Sequence, residues 1–518
     1  MSYRPAFLGL SLHRGDLQAG LTVAIVALPL SLAIAIASGV GPDRGLVTAI
    51  IGGFLVSALG GTRHQIGGPA GAFIVLVSAC VARLGVEGLL LATMMSGAML
   101  VILGALRLGG TIRYVPYPVI LGFTAGIAVI IAASQLRDLL GLQLAAAEPG
   151  PLPDKLAALW AVRGTLSAGS LAVAAIAVAT ILGVQRLWPR LPSLLLGIVV
   201  ATLAAQVLEA PTVADRFGAL PASLPMPSLP PLTDPALLMA ALPFAVSFTL
   251  LGAIESLLSA MVADQMAGSR MRPDDELVGQ GLANVAVALF GGFCTTGTIA
   301  RTATNVRAGS RGPASGMIHA GLLLGFLLLA APLAGAIPLA ALAGLLMVVA
   351  WKMVEWHAIG ALARISRGDA ATMLVTFLTV ILRDLTEGII LGMALAGVVF
   401  IARMARESGA EPGAGWDSDD PDELIVHLRG PVFFGSVARI ETLIDRIVTR
   451  PHLLMLDVSA VPFVDTTGAQ MIAALADRLR RRGIRLVVVG AHARLRAVLD
   501  HGLAHAADPD AARRLTDL

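Results

Sequence analysis

Apolar runs as long as a bilayer is thick constrain this chain more than any other feature. Residues 20–39, 89–106, 321–336 and 389–402 carry no charged side chain, and charged residues or Pro/Gly turns bound them. Several reach the roughly 20 residues that a helix needs to cross a hydrocarbon core ~30 Å thick. One such run could be a buried helix of a soluble protein, but their repetition rules that out. With 56% hydrophobic and 14% charged residues and a mean hydropathy of +0.83, the chain reads as an α-helical polytopic membrane protein. Its formal charge of +3 does not indicate nucleic acid, because the basic residues are spread over many loops. Cys80 and Cys294 lie in apolar surroundings with no spacing for a disulfide framework or a metal site. Residues 1–16 precede a first run of full membrane width with no Ala-x-Ala-like exit, so no cleavable signal peptide is expected.

Hydropathy and turn signals place fourteen transmembrane segments. The first seven lie near 17–38, 44–60, 69–82, 86–106, 117–135, 166–184 and 191–208. The second seven lie near 238–262, 276–292, 298–308, 315–335, 337–351, 369–383 and 387–403. With both termini cytoplasmic, the inside loops hold Arg4, Arg14, Arg63, Arg107, Arg113, Arg186, Arg190, Arg270, Arg272, Arg307, Arg311, Lys352, Arg364, Arg367, Arg403 and Arg406. The outside loops hold only Arg44, Arg83, Arg137, Lys155, Arg163, Arg216 and Arg383, the asymmetry that the positive-inside rule requires. The organisation expected is a cytoplasmic N-terminus (1–16), a first repeat (17–209), an extracytoplasmic linker (210–237), a second repeat (238–405), a polar linker (406–421) and a soluble domain (422–518). In the soluble domain, strands over 423–428, 453–458 and 485–489 alternate with helices over 437–448 and 467–481, an α/β pattern.

Two short, glycine-interrupted segments occupy corresponding places in the two halves: Ile66-Gly-Gly-Pro-Ala-Gly-Ala72 and Cys294-Thr-Thr-Gly-Thr-Ile-Ala300. An offset of 231 aligns Leu46-Val47 with Leu277-Val278 and Gly60-Gly61 with Gly291-Gly292, and puts Pro69 opposite Ala300. Seven crossings per half invert the second copy relative to the first. Irregular backbone at membrane depth survives only where protein or a wet cavity satisfies its N–H and C=O groups, so both segments mark a cavity. Two half-helices aimed at each other present unsatisfied N–H groups and positive dipole ends, which suits an anion.

Pro69 fits a first helical turn, while Gly67, Gly68, Ala70 and Gly71 leave the backbone open to a ligand. Small residues also serve close helix packing, the competing reading for Gly68 and Gly71. Thr298 can cap the second half-helix or touch the ligand, and Arg301 adds a full positive charge. A snorkelling or charge-paired arginine that only stabilises the fold is the alternative for Arg301. Glu255 stands alone in the apolar stretch 236–262 and is expected to carry a proton or bind sodium with the anion, or else to be a static strut. Asp264 reads as interfacial, and Asp138, Asp384 and Glu387 as charge-paired span ends. With no phosphate loop, HExxH or GxSxG and no zinc-ligand cluster, no enzymatic site, cofactor or ATP drive is indicated.

At these residues the chain resembles the sulfate permease family of anion transporters over nearly its whole length. Pro29-Leu-Ser-Leu-Ala-Ile-Ala-Ile-Ala-Ser-Gly-Val-Gly-Pro42 is similar to the family's first span, departing at Leu30, where many members have Gln. Gly60-Gly-Thr-Arg-His-Gln-Ile-Gly-Gly-Pro69 resembles its Gly-Thr-Ser-Arg-His stretch before the third span. Leu456-Asp-Val-Ser-Ala-Val-Pro-Phe-Val-Asp-Thr-Thr-Gly468 resembles the STAS domain, found at the C-terminus of such transporters and in anti-sigma-factor antagonists.

The resemblance implies a 7+7 inverted repeat divided into core and gate domains, a homodimer, and an anion site mapping to Ile34, Ala70, Gly71, Ala300, Arg301 and Glu255. Ala300 departs from the serine common in animal members. Thr466 falls where STAS antagonists carry a phosphorylated serine, and a cytoplasmic regulator could bind there. The reading is a multi-pass protein of a bacterial inner membrane, both termini cytoplasmic, that carries a small inorganic or organic anion (bicarbonate, sulfate or a dicarboxylate) by proton-coupled alternating access. A sodium-coupled bicarbonate importer, an uncoupled uniporter or channel, and a sensor signalling through its STAS domain are the alternatives.

Overall fold

The computed structural model describes residues 3–515 except 4, 10, 111–114, 145–147, 150–151, 190, 384, 413–422, 439, 441, 443–450 and 500–502. Arg4, Arg113, Arg190 and Asp384 therefore lie outside the described residues, as do most of the polar linker and of the helix expected over 437–448. The chain forms two compact units, Met1–Met393 and Ala394–Leu518.

The first unit is helical. It comprises α1 (Arg14–Ala37), α2 (Pro42–Val47) running through a π-helical turn into α3 (Gly53–Leu59), α4 (Ile74–Ala105), α5 (Tyr117–Leu140), α6 (Leu152–Ala161), α7 (Ala168–Leu187), α8 (Ser193–Leu208) and α9 (Val213–Phe217). After these come α10 (Pro235–Ala267), α11 (Pro273–Leu289), α12 (Ile299–Arg307), α13 (Ala314–Gly335), α14 (Leu339–Met353), α15 (Trp356–Ile365), α16 (Arg367–Leu382) and α17 (Leu385–Glu407), the last reaching into the second unit. Each of the fourteen expected segments falls on helix, but nine helical stretches among the described residues are long and apolar enough to cross a membrane. One of the nine, Gly71–Ala105, breaks at Gly85, whose φ of 68° needs glycine, and so covers both the third and fourth expected segments. At the tenth, α12 has 9 residues and at 1.5 Å per residue spans about 14 Å, under half the hydrocarbon thickness. Three short helices, α6, α9 and α15, occupy stretches read from sequence as loops. α6 and α9 are too short to register in a membrane-length window, and α15 continues the apolar stretch Leu339–Ile365 past the end expected for that segment.

The two glycine-interrupted segments meet. β1 (Gly67–Gly68) and β2 (Thr296–Gly297) pair antiparallel, Gly67 with Gly297 and Gly68 with Thr296. Helices α2 and α11 each begin on a proline, Pro42 and Pro273, which are 231 residues apart like the motifs that follow them.

The second unit holds a five-stranded sheet in the order β3 (Gly409–Pro412), β4 (Glu423–Arg429), β5 (Leu453–Ala460), β6 (Arg485–Val489), β7 (Ala504–Ala506). β4 to β7 run parallel, and β3 joins β4 antiparallel. This corrects the sequence reading at 409–412: a polar composition concealed an edge strand, because an edge needs pairing on one side only. Helices α18 (Thr466–Arg481), α19 (Ala493–Leu499) and α20 (Pro509–Arg514) complete the described elements. Leu424, Val426 and Leu428 alternate inward from β4 onto Ile472, Leu475 and Leu479 of α18.

Candidate anion-binding site

Unwound backbone inside an apolar bundle must find partners, and here side chains supply them. Asn284 of α11 grips Thr295 twice: its Nδ2 donates to the Thr295 carbonyl (2.9 Å) and its Oδ1 accepts from the Thr295 N–H (2.9 Å). Thr302 Oγ1 accepts from the Ile66 N–H (3.1 Å), Asn305 Nδ2 donates to the His64 carbonyl (2.8 Å), and Thr48 Oγ1 accepts from the Phe293 N–H (3.0 Å). Glu276, wholly buried, accepts from the Gly61 N–H (2.8 Å), Gln65 Nε2 (2.8 Å) and Gln280 Nε2 (3.1 Å), fixing the approach to β1.

Antiparallel strands run in opposite directions, so the helices that follow β1 and β2 leave the pair at opposite ends with their N-termini facing. The turn Gly71–Phe73 that leads into α4 and the first turn of α12 both border one cavity of about 870 Å³. Pro69, Ala70, Gly71, Thr298, Ala300 and Arg301 line it, joined by Ile34 of α1 and Glu255 of α10. Gly68 is not among the lining residues. It sits behind Arg301, where an added Cβ would lie 2.2 Å from the guanidinium Nη1, and its φ of 153° also favours glycine.

The hydroxyl of Thr298 departs from the capping role expected of it. It bonds no N–H of α12, because the Thr298 N–H (3.0 Å) and hydroxyl (3.4 Å) both turn toward the Ile66 carbonyl across the strand pair. Thr298 thus gives α12 no side-chain cap, and the first turn of the helix, whose N–H groups have no partner within the helix, borders the cavity.

Arg301 occupies the third position of that turn and is 1% exposed. Its Nη2 donates to Ser31 Oγ (3.3 Å) and to the Pro69 carbonyl (3.3 Å), whereas Nε and Nη1 have no partner among the described residues. A cation at a helix N-terminus adds to the positive end of the dipole, and a second helix start borders the same cavity, so both raise the local potential. Glu255 also lines the cavity, its Oε2 without a partner among the described residues. The two charges act on each other without forming an ion pair within 4.0 Å.

Of the other acidic residues, Asp138 and Glu387 are charge-paired as expected, and Asp384 lies outside the described residues. Asp264 Oδ2 accepts from the Met271 N–H (2.6 Å), Asp138 pairs with Arg216 (2.9 Å), and Glu387 with Arg383 (3.6 Å). Ser31, which holds Arg301, was not singled out in the sequence, since a serine three residues before Ile34 carries no signal without the fold.

The cavity extends beyond these residues. Its wider lining comes from the turn between α7 and α8 (Gln185, Ser193), from the end of α14 with the residues after it (Lys352, Glu355), and from the end of α12 (Arg307). Among the described residues, none of it comes from the 141–167 connection or from 209–234. Such a fold, with a half-partnered guanidinium and two helix starts bordering one cavity, defines a polytopic membrane transporter for anions.

The sulfate permease family profile matches residues 13–376 and the STAS domain profile residues 418–505. The chain belongs to the sulfate permease family. It is 37% identical over 516 residues to the Bacillus subtilis (strain 168) protein YvdB, provisionally named a sulfate transporter, covering 98% of this chain and 97% of that one. It is 30% identical over 525 residues to the bicarbonate transporter BicA of Picosynechococcus sp. (strain ATCC 27264 / PCC 7002 / PR-6), covering 94% and 90%. Among solved structures, the transmembrane domain of a cyanobacterial BicA superposes with a TM-score of 0.63 at 32% identity (74% of this chain, 98% of that one). Murine Slc26a9 superposes with a TM-score of 0.81 at 18% identity (96% and 89%), a likeness of fold.

Proposed function

We propose that this protein is a secondary active transporter that carries a small oxyanion of the bicarbonate, sulfate or dicarboxylate class by alternating access, coupled to protons through Glu255. The observation that carries the reading is the fully buried Arg301, with Nε and Nη1 unpaired in a cavity that also receives two helix N-termini. An anion there gains charge-assisted hydrogen bonds and dipole stabilisation at once. Glu255 in the same cavity takes up a proton, which removes the repulsion between its carboxylate and the anion and makes binding of the two mutually dependent.

Residues 17–209 and 238–405 act as inverted repeats joined by 210–237, the protein works as a homodimer in a bacterial inner membrane, and both termini face the cytoplasm. The cavity mouth, bordered by Arg307 and Lys352, then faces the cytoplasm. Thr466, exposed on the first turn of α18, is the position for a regulatory contact or modification of the STAS domain. Kinship with a named bicarbonate transporter and a provisionally named sulfate transporter sets the substrate panel.

The test is uptake of radiolabelled bicarbonate, sulfate and succinate into proteoliposomes with imposed proton or sodium gradients. Saturable uptake stimulated by an inward proton gradient is expected, and Glu255→Gln should remove the stimulation. A strict sodium requirement, current without saturable exchange, or binding without flux would point to the importer, the uniporter and the sensor respectively.

A further inference from the structure

The cavity carries two more cations besides Arg301. Arg307 ends α12 and Lys352 lies in the last turn of α14, so each is placed by a helix C-terminus that favours positive charge. Both are exposed and both line the mouth, from different walls. Lys352 Nζ donates to Gln185 Oε1 of α7 (2.8 Å), and Gln185 Nε2 donates to Ser193 Oγ of α8 (3.1 Å), so a hydrogen-bonded chain holds the ammonium over the opening. Among the described residues neither cation has a carboxylate within 4.0 Å. Glu355, the acid at the mouth, is engaged by Tyr117 Oη of α5, which donates to it (3.0 Å).

Arg307 follows Arg301 by six residues on one helix, about 9 Å along its axis. That is close to the ~8 Å Debye length at physiological ionic strength. An anion held at the mouth therefore already feels the buried guanidinium, and low-dielectric walls concentrate the field between them.

We propose that Arg307 and Lys352, with Gln185 positioning Lys352, form a separate anion-collecting station at the cavity mouth that delivers small oxyanions to Arg301. This rests on the transport reading. The station raises the local anion concentration and takes no part in the coupled movement, so its loss changes KM and spares Vmax.

The experiment measures initial uptake of radiolabelled sulfate and bicarbonate by the full chain in proteoliposomes at low and near-physiological ionic strength. For Arg307→Gln/Lys352→Gln, KM is expected to rise by about 5- to 10-fold at low salt, a steering effect of ordinary size, with Vmax within about twofold of wild type. The steep rise of wild-type KM with salt should flatten in the variant. Arg307→Lys/Lys352→Arg should keep the wild-type KM, and Gln185→Leu should reproduce part of the shift. Unchanged KM and salt response in the double Gln variant would overturn the station and leave the transport reading standing. A wild-type protein that moves neither anion would overturn both.

Discussion

Arg301 is the residue on which anion recognition turns, and its surroundings set what each substitution does. Arg301→Ala removes the one buried positive charge among the described residues that line the cavity, and losing one partner of a buried charged hydrogen bond costs about 2–5 kcal/mol. Affinity for the transported anion should fall at least ~30-fold, read as KM in proteoliposomes or by calorimetry in detergent. Arg301→Lys should rescue little, because an ammonium cannot hold Ser31 and Pro69 and still offer two donors in a fixed plane. Wild-type affinity in the Ala variant would remove Arg301 from the site. Gly68→Ala reaches the same guanidinium from behind: the new methyl would lie 2.2 Å from Nη1, so the side chain must leave its place. Its binding should fall toward that of Arg301→Ala although residue 68 lines no part of the cavity.

At the scale of elements, the strand pair and half-helices exist because neighbouring side chains satisfy their backbone. Thr302→Val keeps the shape but strands the Ile66 N–H, a buried donor whose desolvation costs about 1–3 kcal/mol. The melting temperature in detergent should drop by a few degrees, and hydrogen exchange should quicken at residues 66–68. Unaltered exchange there would mean that Thr302 does not hold the crossing. These elements were legible to different degrees. Gly67, Gly68 and Gly297 in otherwise apolar surroundings marked broken helices, and Arg301 and Glu255 stood out because charge at membrane depth is rare. The partners were not legible, since Asn284, Thr302 and Asn305 are ordinary polar residues on helices until the fold brings them against residues 64–66 and 295. Strand β3 escaped because its edge position makes no demand on composition, and α15 because its 10 residues bury nothing.

For the molecule as a whole, the membrane unit and the STAS unit carry separate apolar cores and so should lose structure in separate steps. One ionisable pair lets the second step be tuned alone. His427 Nδ1 lies 2.6 Å from Asp457 Oδ2 across β4 and β5, and Asp457 Oδ1 accepts from the Ser459 N–H (2.9 Å). Burial by itself would lift the Asp457 carboxyl, but hydrogen bonds from Ser459 and His427 together outweigh it and hold the group below the ordinary carboxylate value. A depressed folded-state value means that the ionised form is bound more tightly in the native state, so the stabilisation is complete above the unfolded value near 3.9 and fades as pH falls through the folded one. At pH 7, Asp457→Asn should lower the midpoint of the STAS transition by an amount corresponding to about 1–2 kcal/mol and leave the membrane transition in place. The gap between wild type and variant should narrow as the pH is taken below about 4. Hydrogen exchange of the full chain in detergent, followed along a urea series at pH 7 and near pH 3.5, separates the two steps. A single coincident transition would refute the independence of the units, and a gap that widened in acid would show that Asp457 is not held in its charged form by the fold.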